Sequence, residues 1–171
     1  MTQFLGTHIG KLDRKGRISV PAGFRAALER IGSEEIILRP SHILPCIEVY
    51  PRPAFERLAA GIERLDVFSE QYEALAAVLY ADTYPSQPDG DGRLVLPENL
   101  IAHAGLGEIV AVVGNGGHFQ IWEPEAAKRR AAEARLRARE RGMTLPAAPP
   151  TAPPAAGNSP LPLNTTPVPV P

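Results

Sequence analysis

The chain has 171 residues, 44% of them hydrophobic, carries a formal net charge of −1, and holds no run approaching the roughly 18 apolar residues of a membrane helix. Its single cysteine, Cys46, excludes an intrachain disulfide and a thiolate metal cluster and reads as a buried structural thiol. The N-terminal MTQFLGTHIGK lacks the apolar core of a secretory signal, so a cytoplasmic location is expected.

The small net charge conceals a strong segregation. Residues 1–30 hold Lys11, Arg14, Lys15, Arg17, Arg25 and Arg30 against Asp13 and Glu29, a net +4. Residues 128–141 net +5, while the 31–127 stretch between them nets −10. Two cationic patches on an acidic body are the footprint of a polyanion or acidic partner rather than of a small-molecule enzyme.

In chain order, HIGKL (8–12) and RISV (17–20) read as antiparallel strands joined by the turn Asp13-Arg14-Lys15-Gly16. Asp13 can accept backbone amides from within the turn, and Gly16 can take the positive φ that closes a bulged hairpin. Pro21 then opens a short helix whose apolar residues Phe24, Leu28 and Ile31 recur at helical spacing. Two strands follow, in IILRP and CIEVYP, and an acidic helical linker over 54–81.

The second half repeats the first. PDGDGRLVLP (88–97) restates LDRKGRISVP (12–21) 76 residues later, placing Asp89, Gly92 and Arg93 where the first copy has Asp13, Gly16 and Arg17. A short helix, two strands (IVAVVG and FQIW) and a Pro-started helix follow in the same order, which marks an internal duplication. A turn needs the Asp and the Gly but not the Arg after them, so the recurrence of that Arg points to a planar fork for phosphate or guanine edges, to an ion-pair partner for Asp13 across the loop, or to both at once. The basic helix 126–142 has only Leu136 as a large apolar residue, so it is solvated or meets a partner, and the Pro/Ala-rich tail 143–171 has no charge and reads as disordered.

Other chemistries fit poorly. Counting a calcium loop from Asp89 puts Arg93 and Leu100 at the fifth and twelfth positions, where oxygen ligands are required. VVGNGGHF has no Lys-Ser/Thr after it and reads as a hairpin turn, Asp89 with Asp91 lacks partners for acid–base work, and His8, His42, His103 and His118 show no ligand spacing. No cofactor, catalysis, membrane or small-molecule substrate is expected. His8 lies near the basic loop and is a candidate phosphate contact.

The two motif copies, with FLG near the N-terminus and VYP, HAGL, VVG and IWE further on, resemble the MraZ family of bacterial transcriptional regulators. The resemblance covers roughly residues 1–125. It implies an α+β, β-rich fold of two tandem AbrB-like swapped-hairpin halves (1–53 and 82–125) forming a double-split β-barrel, with short helices and a C-terminal helix. It also implies a homo-oligomeric ring that binds repeated promoter elements in double-stranded DNA and represses its own division and cell-wall gene cluster, in the cytoplasm at the nucleoid. Matched by position, Lys15, Arg17 and Arg93 fall on the family's basic motif positions and Asp13 and Asp89 on its acidic ones; Arg14, Lys11 and His8 lie beside them. Asp91 departs from the pattern, and its fixed negative charge predicts that the first loop carries most of the DNA contact while the second supports the fold. The alternative expectation is an AbrB-like interaction module, antitoxin-like or a docking protein, with little specific DNA binding.

Overall fold

A computed structural model describes residues 3–148. The elements run β1 (Thr7–Lys11), β2 (Arg17–Ser19), α1 (Ala22–Ile31), β3 (Ile36–Pro40), β4 (Ile47–Pro51), α2 (Arg52–Ile62), α3 (Glu70–Tyr80), β5 (Tyr84–Ser86), β6 (Arg93–Val95), α4 (Glu98–His103), β7 (Ile109–Gly114), β8 (Phe119–Trp122) and α5 (Pro124–Glu140). With α3 set aside, the order β-β-α-β-β-α occurs twice. Pro21 and Pro97 cap α1 and α4 from the same extended backbone, and Pro51 and Glu123 lead into α2 and α5.

The sheets are shared between the copies. A six-stranded antiparallel sheet has the order β1-β7-β8-β4-β3-β5, and β2 pairs with β6 in a separate ribbon. Thus β1 of the first copy lies on β7 of the second, and β5 of the second lies on β3 of the first. This corrects the expectation of a β1–β2 hairpin. The turn forms, but only one rung, from the Asp13 N–H to the Arg17 carbonyl, closes it. Five residues of β1 instead find partners on β7, and β2 is drawn away to stack over the sheet through its buried Ile18. The expected hairpin turn between β7 and β8 is present, closed from the Asn115 N–H to the His118 carbonyl.

Alternation along the strands divides the interior into two layers. Val110 and Val112 of β7 and Phe119 and Ile121 of β8 face the main core with α1, α4 and the β2–β6 ribbon. Three phenylalanine rings meet there, Phe4, Phe24 and Phe119, with centroids 5.1 to 5.3 Å apart. Ala111, Trp122 and Cys46 face the other side, where Ala126 and Ala127 dock the first turn of α5. Cys46 is fully buried, and burial pushes its thiol up to about 12, as expected of a structural cysteine.

The same outer face carries a buried ion pair between cross-strand partners Arg39 and Glu48, 2.6 Å apart. Arg39 also donates to the Val78 carbonyl, which ties α3 to the sheet. The helical linker is interrupted: α2 starts at Arg52, two residues before the expected boundary, and residues 63–69 separate it from α3, where Ser69 caps the second helix by accepting from Tyr72 N–H. Helix α5 covers Pro124–Glu140 with no buried residue, residues 143–148 have no regular structure, and the rest of the tail lies outside the described residues. No described helix is long and apolar enough to cross a membrane.

Candidate nucleic-acid interface

The two motif turns have the same internal wiring. In the first, Asp13 Oδ1 accepts from the backbone N–H groups of Lys15 (2.9 Å) and Arg17 (2.8 Å), and Gly16 N–H donates to the Asp13 carbonyl. In the second, Asp89 Oδ1 accepts from Asp91 and Arg93, each at 2.9 Å, and Gly92 N–H donates to the Asp89 carbonyl. Gly16 and Gly92 close the turns at φ 75° and 73°, a left-handed conformation that a side chain disfavours. The amides that each carboxylate accepts, Arg17 N–H first for Asp13 and Arg93 N–H first for Asp89, hold both carboxyls below the usual aspartate range.

Each turn is then fastened to the other copy. Val20 N–H donates to the Gly92 carbonyl and Leu96 N–H to the Gly16 carbonyl, extending the ribbon pairs Arg17 with Val95, Ile18 with Leu94 and Ser19 with Arg93. The central pair, Ile18 and Leu94, points into the core, while Ser19, Arg93 and Val95 are exposed and Arg17 is half-buried. Arg17 and Arg93 therefore occupy diagonal positions on one outward face, about 7–8 Å apart by the geometry of paired strands. The turns sit at opposite ends of this ribbon, with Gly16 and Gly92 roughly 14 Å apart by strand rise.

The copies differ in how they use their arginines. Arg17 Nε donates to Asp13 Oδ2 at 2.7 Å, so its terminal nitrogens remain for an outside ligand, whereas the Arg93 guanidinium makes no hydrogen bond or ion pair among the described residues. Arg14 and Lys15 are exposed at the tip of the first turn, and Lys11 is exposed at the end of β1 beside it. His8 is also exposed on β1, its ring edge-on to Phe24 at 5.0 Å. The structure thus gathers Lys11, Arg14, Lys15 and Arg17 at one end of the ribbon and Arg93 on the same face toward the other. Among the described residues no group of three or more His, Cys, Asp or Glu could hold a metal ion.

Sequence reasoning missed Arg25, which it counted only as charge. This α1 residue of the first copy lies across Gly92 of the second: a Cβ built there would stand 2.5 Å from Arg25 Cδ and 2.6 Å from Nη1. The equivalent place beside Gly16 holds Ile101. No local pattern reports such a contact, because the two residues belong to different copies of the repeat.

Helix α5 carries its cations elsewhere. It begins at Pro124, directly after β8, and runs so that Ala131 and Ala134 border a cleft with Val113 and Asn115, at the end of the sheet opposite Lys11. Its basic C-terminal half therefore projects away from the first turn. Among the described residues only Lys128 of its cations is paired, with Glu125 at 3.2 Å.

Comparison with known proteins agrees with this duplicated architecture. The family described as "MraZ protein, putative antitoxin-like" matches residues 3–77 and 79–143, one match for each copy. A protein of Gluconacetobacter diazotrophicus named "Transcriptional regulator MraZ" is 53% identical over 150 residues, covering 86% of this chain and 94% of its own. Its namesakes in Gluconobacter oxydans (51% over 163 residues, 93% and 97%) and Rickettsia bellii (38% over 146 residues, 85% and 97%) extend the similarity. With both repeats matched and relatives covered almost end to end, the chain belongs to the MraZ family.

Proposed function

We propose that this protein is a sequence-specific DNA-binding transcriptional regulator without catalytic activity, which lays the outward face of the β2–β6 ribbon on duplex DNA. The observation that carries this reading is the placement of Arg17 and Arg93 on one outward face, between turns in which Asp13 and Asp89 each accept two backbone amides. The major groove of DNA admits a two-stranded β-ribbon, and an arginine fork reads guanine there. The relatives' shared name, "Transcriptional regulator MraZ", supports the same reading.

The finer assignments follow from it. The halves 1–53 and 82–125 interlock as a double-split barrel, and several copies close into a ring that meets repeated elements before the protein's own division and cell-wall gene cluster, which it represses in the cytoplasm at the nucleoid. A handful of cations per subunit gives only non-specific affinity, of order 10⁻⁴ to 10⁻⁶ M. Arraying them on one assembly raises avidity by roughly 10² to 10⁴. Binding isotherms on the DNA preceding its own gene and on scrambled DNA, with the assembly size measured in parallel, test this. Tight, promoter-selective binding that disappears in a monomeric variant is expected, and a monomer that still binds the promoter tightly refutes the role of assembly.

A second reading, a protein-docking module, has one observation in its favour: the arginines of α5 are exposed or half-buried and unpaired among the described residues, and they project away from the first turn. Charge reversal at Arg135, Arg137 and Arg139 separates the two. Unchanged promoter affinity with loss of a protein partner makes α5 a docking arm; a smaller salt dependence of DNA binding makes it a DNA contact.

A further inference from the structure

Beside the β2–β6 ribbon lies a cleft of about 370 Å³ between β1, β2 and α1, lined by His8, Gly10, Ser19, Pro21 and Arg25 among others, and none of its lining side chains is acidic. Ser19 on its wall is the cross-strand partner of Arg93, so the two share a face of the ribbon. Arg25 is exposed, makes no hydrogen bond or ion pair among the described residues, and lies across the buried Gly92, where it also borders a second cleft that Glu29, Glu34 and Asp89 line. An exposed guanidinium with its donors unspent can take an oxyanion.

The duplication provides an internal control. Displaced by 76 residues, the positions of His8, Ser19 and Arg25 correspond to Tyr84, Val95 and Ile101, so the other side of the ribbon has no cation at the place of Arg25, and the Tyr84 hydroxyl there donates to Asn99. The first turn carries Arg14 and Lys15 at its tip, and the second has Gly90 and Asp91 there. The cation missing from the second turn is thus supplied across the repeat boundary, by α1 of the first copy.

We infer that Arg25, with Ser19 and His8, forms a phosphodiester-binding site for duplex DNA that completes the second motif around Arg93. The inference rests on the DNA-binding reading above and deepens it: the second turn is a contact and not only a support, because Arg25 offsets the charge of Asp91. Ser19 and His8 line the same cleft and add donors. The counterpart around Ile101 has no cation, and its one hydroxyl, that of Tyr84, is spent on Asn99.

The test measures promoter affinity against salt concentration for the wild type and for Arg25→Gln, Arg25→Lys and Asp91→Asn, with thermal unfolding as a check on folding. Arg25→Gln is expected to reduce the magnitude of the log–log salt slope by about 0.9 for each subunit on the DNA, Arg25→Lys to keep the wild-type slope, and Asp91→Asn to tighten binding. A folded Arg25→Gln protein with wild-type affinity and slope overturns this site while leaving the DNA-binding reading intact, and an Asp91→Asn protein with unchanged affinity does the same. A wild type that binds neither promoter nor random DNA overturns the reading on which the site rests.

Discussion

The inward side of the β2–β6 ribbon is what holds its outward arginines in place, and Leu94→Ala tests this directly. A two-stranded ribbon of three residues a side is not stable alone in water, so its position depends on what its inward side chains bury. Leu94 is fully buried opposite Ile18, and Val20 and Leu96 flank them in the same core. Truncating it removes the transfer term and leaves a cavity between ribbon and sheet, a cost of about 2–5 kcal/mol. For a domain of this size that lowers the midpoint of thermal unfolding by roughly 4–20 °C at fixed protein concentration. Val95→Ala, one residue along and 57% exposed, should stay within about 0.5 kcal/mol. Urea unfolding with unchanged m-values is the assay. A Leu94→Ala loss below about 1 kcal/mol, or one equal to that of Val95→Ala, would show that the ribbon is not anchored by this residue and that its outward face is not fixed.

Arg17→Ala should weaken promoter binding by about 1–3 kcal/mol while affecting random DNA less, and equal losses on both in gel shifts would contradict base readout. Lys15→Ala should lower affinity for all sequences alike and reduce the salt slope by about 0.9 per subunit engaged, a result that a sequence-dependent loss would overturn. Because folding lowers the carboxyl pKa of Asp13 and Asp89, their stabilising contribution is complete above the unfolded aspartate value of about 3.9 and is lost as pH falls through the lower folded values. The double substitution of both to Asn should therefore flatten the acid limb of stability against pH, and an unchanged limb in thermal unfolding between about pH 2 and 6 would refute this. Cys46, with its thiol pushed up to about 12, should resist thiol-specific reagents at pH 8 in the native protein and react once unfolded in denaturant; fast native reaction would contradict its burial.

Much of the fold is legible because it is local. Asp-x-x-Gly-Arg specifies a turn through its own hydrogen bonds, Pro21 and Pro97 mark helix starts, and the short apolar runs IVAVVG and FQIW on either side of a Gly-rich segment show two strands and the turn between them. The exchange of strands between copies is not local. HIGKL and RISV suit a hairpin with each other, and only the competing surface of β7, 98 or more residues away in sequence, draws β1 elsewhere.

At the candidate interface the residue types and the Asp13–Arg17 pair were readable, and the contacts between the copies were not. The sequence shows two identical Asp–Arg spacings, yet Arg17 is tied to its Asp13 and Arg93 is free of Asp89 among the described residues. Arg25 meets Gly92 through a contact that spans the repeat boundary, and no spacing rule predicts it. The charge pattern showed two cationic segments; only the sheet register showed that α5 runs toward the end opposite the first turn.

Nuclease protection of the DNA preceding its own gene, by the wild type and by a folded Arg17→Ala/Arg93→Ala variant, addresses the ribbon most directly. Regularly spaced protected segments with the wild type, and their absence with the variant at the same concentration, are predicted. The same segments protected by both proteins would mean that some other surface grips the duplex.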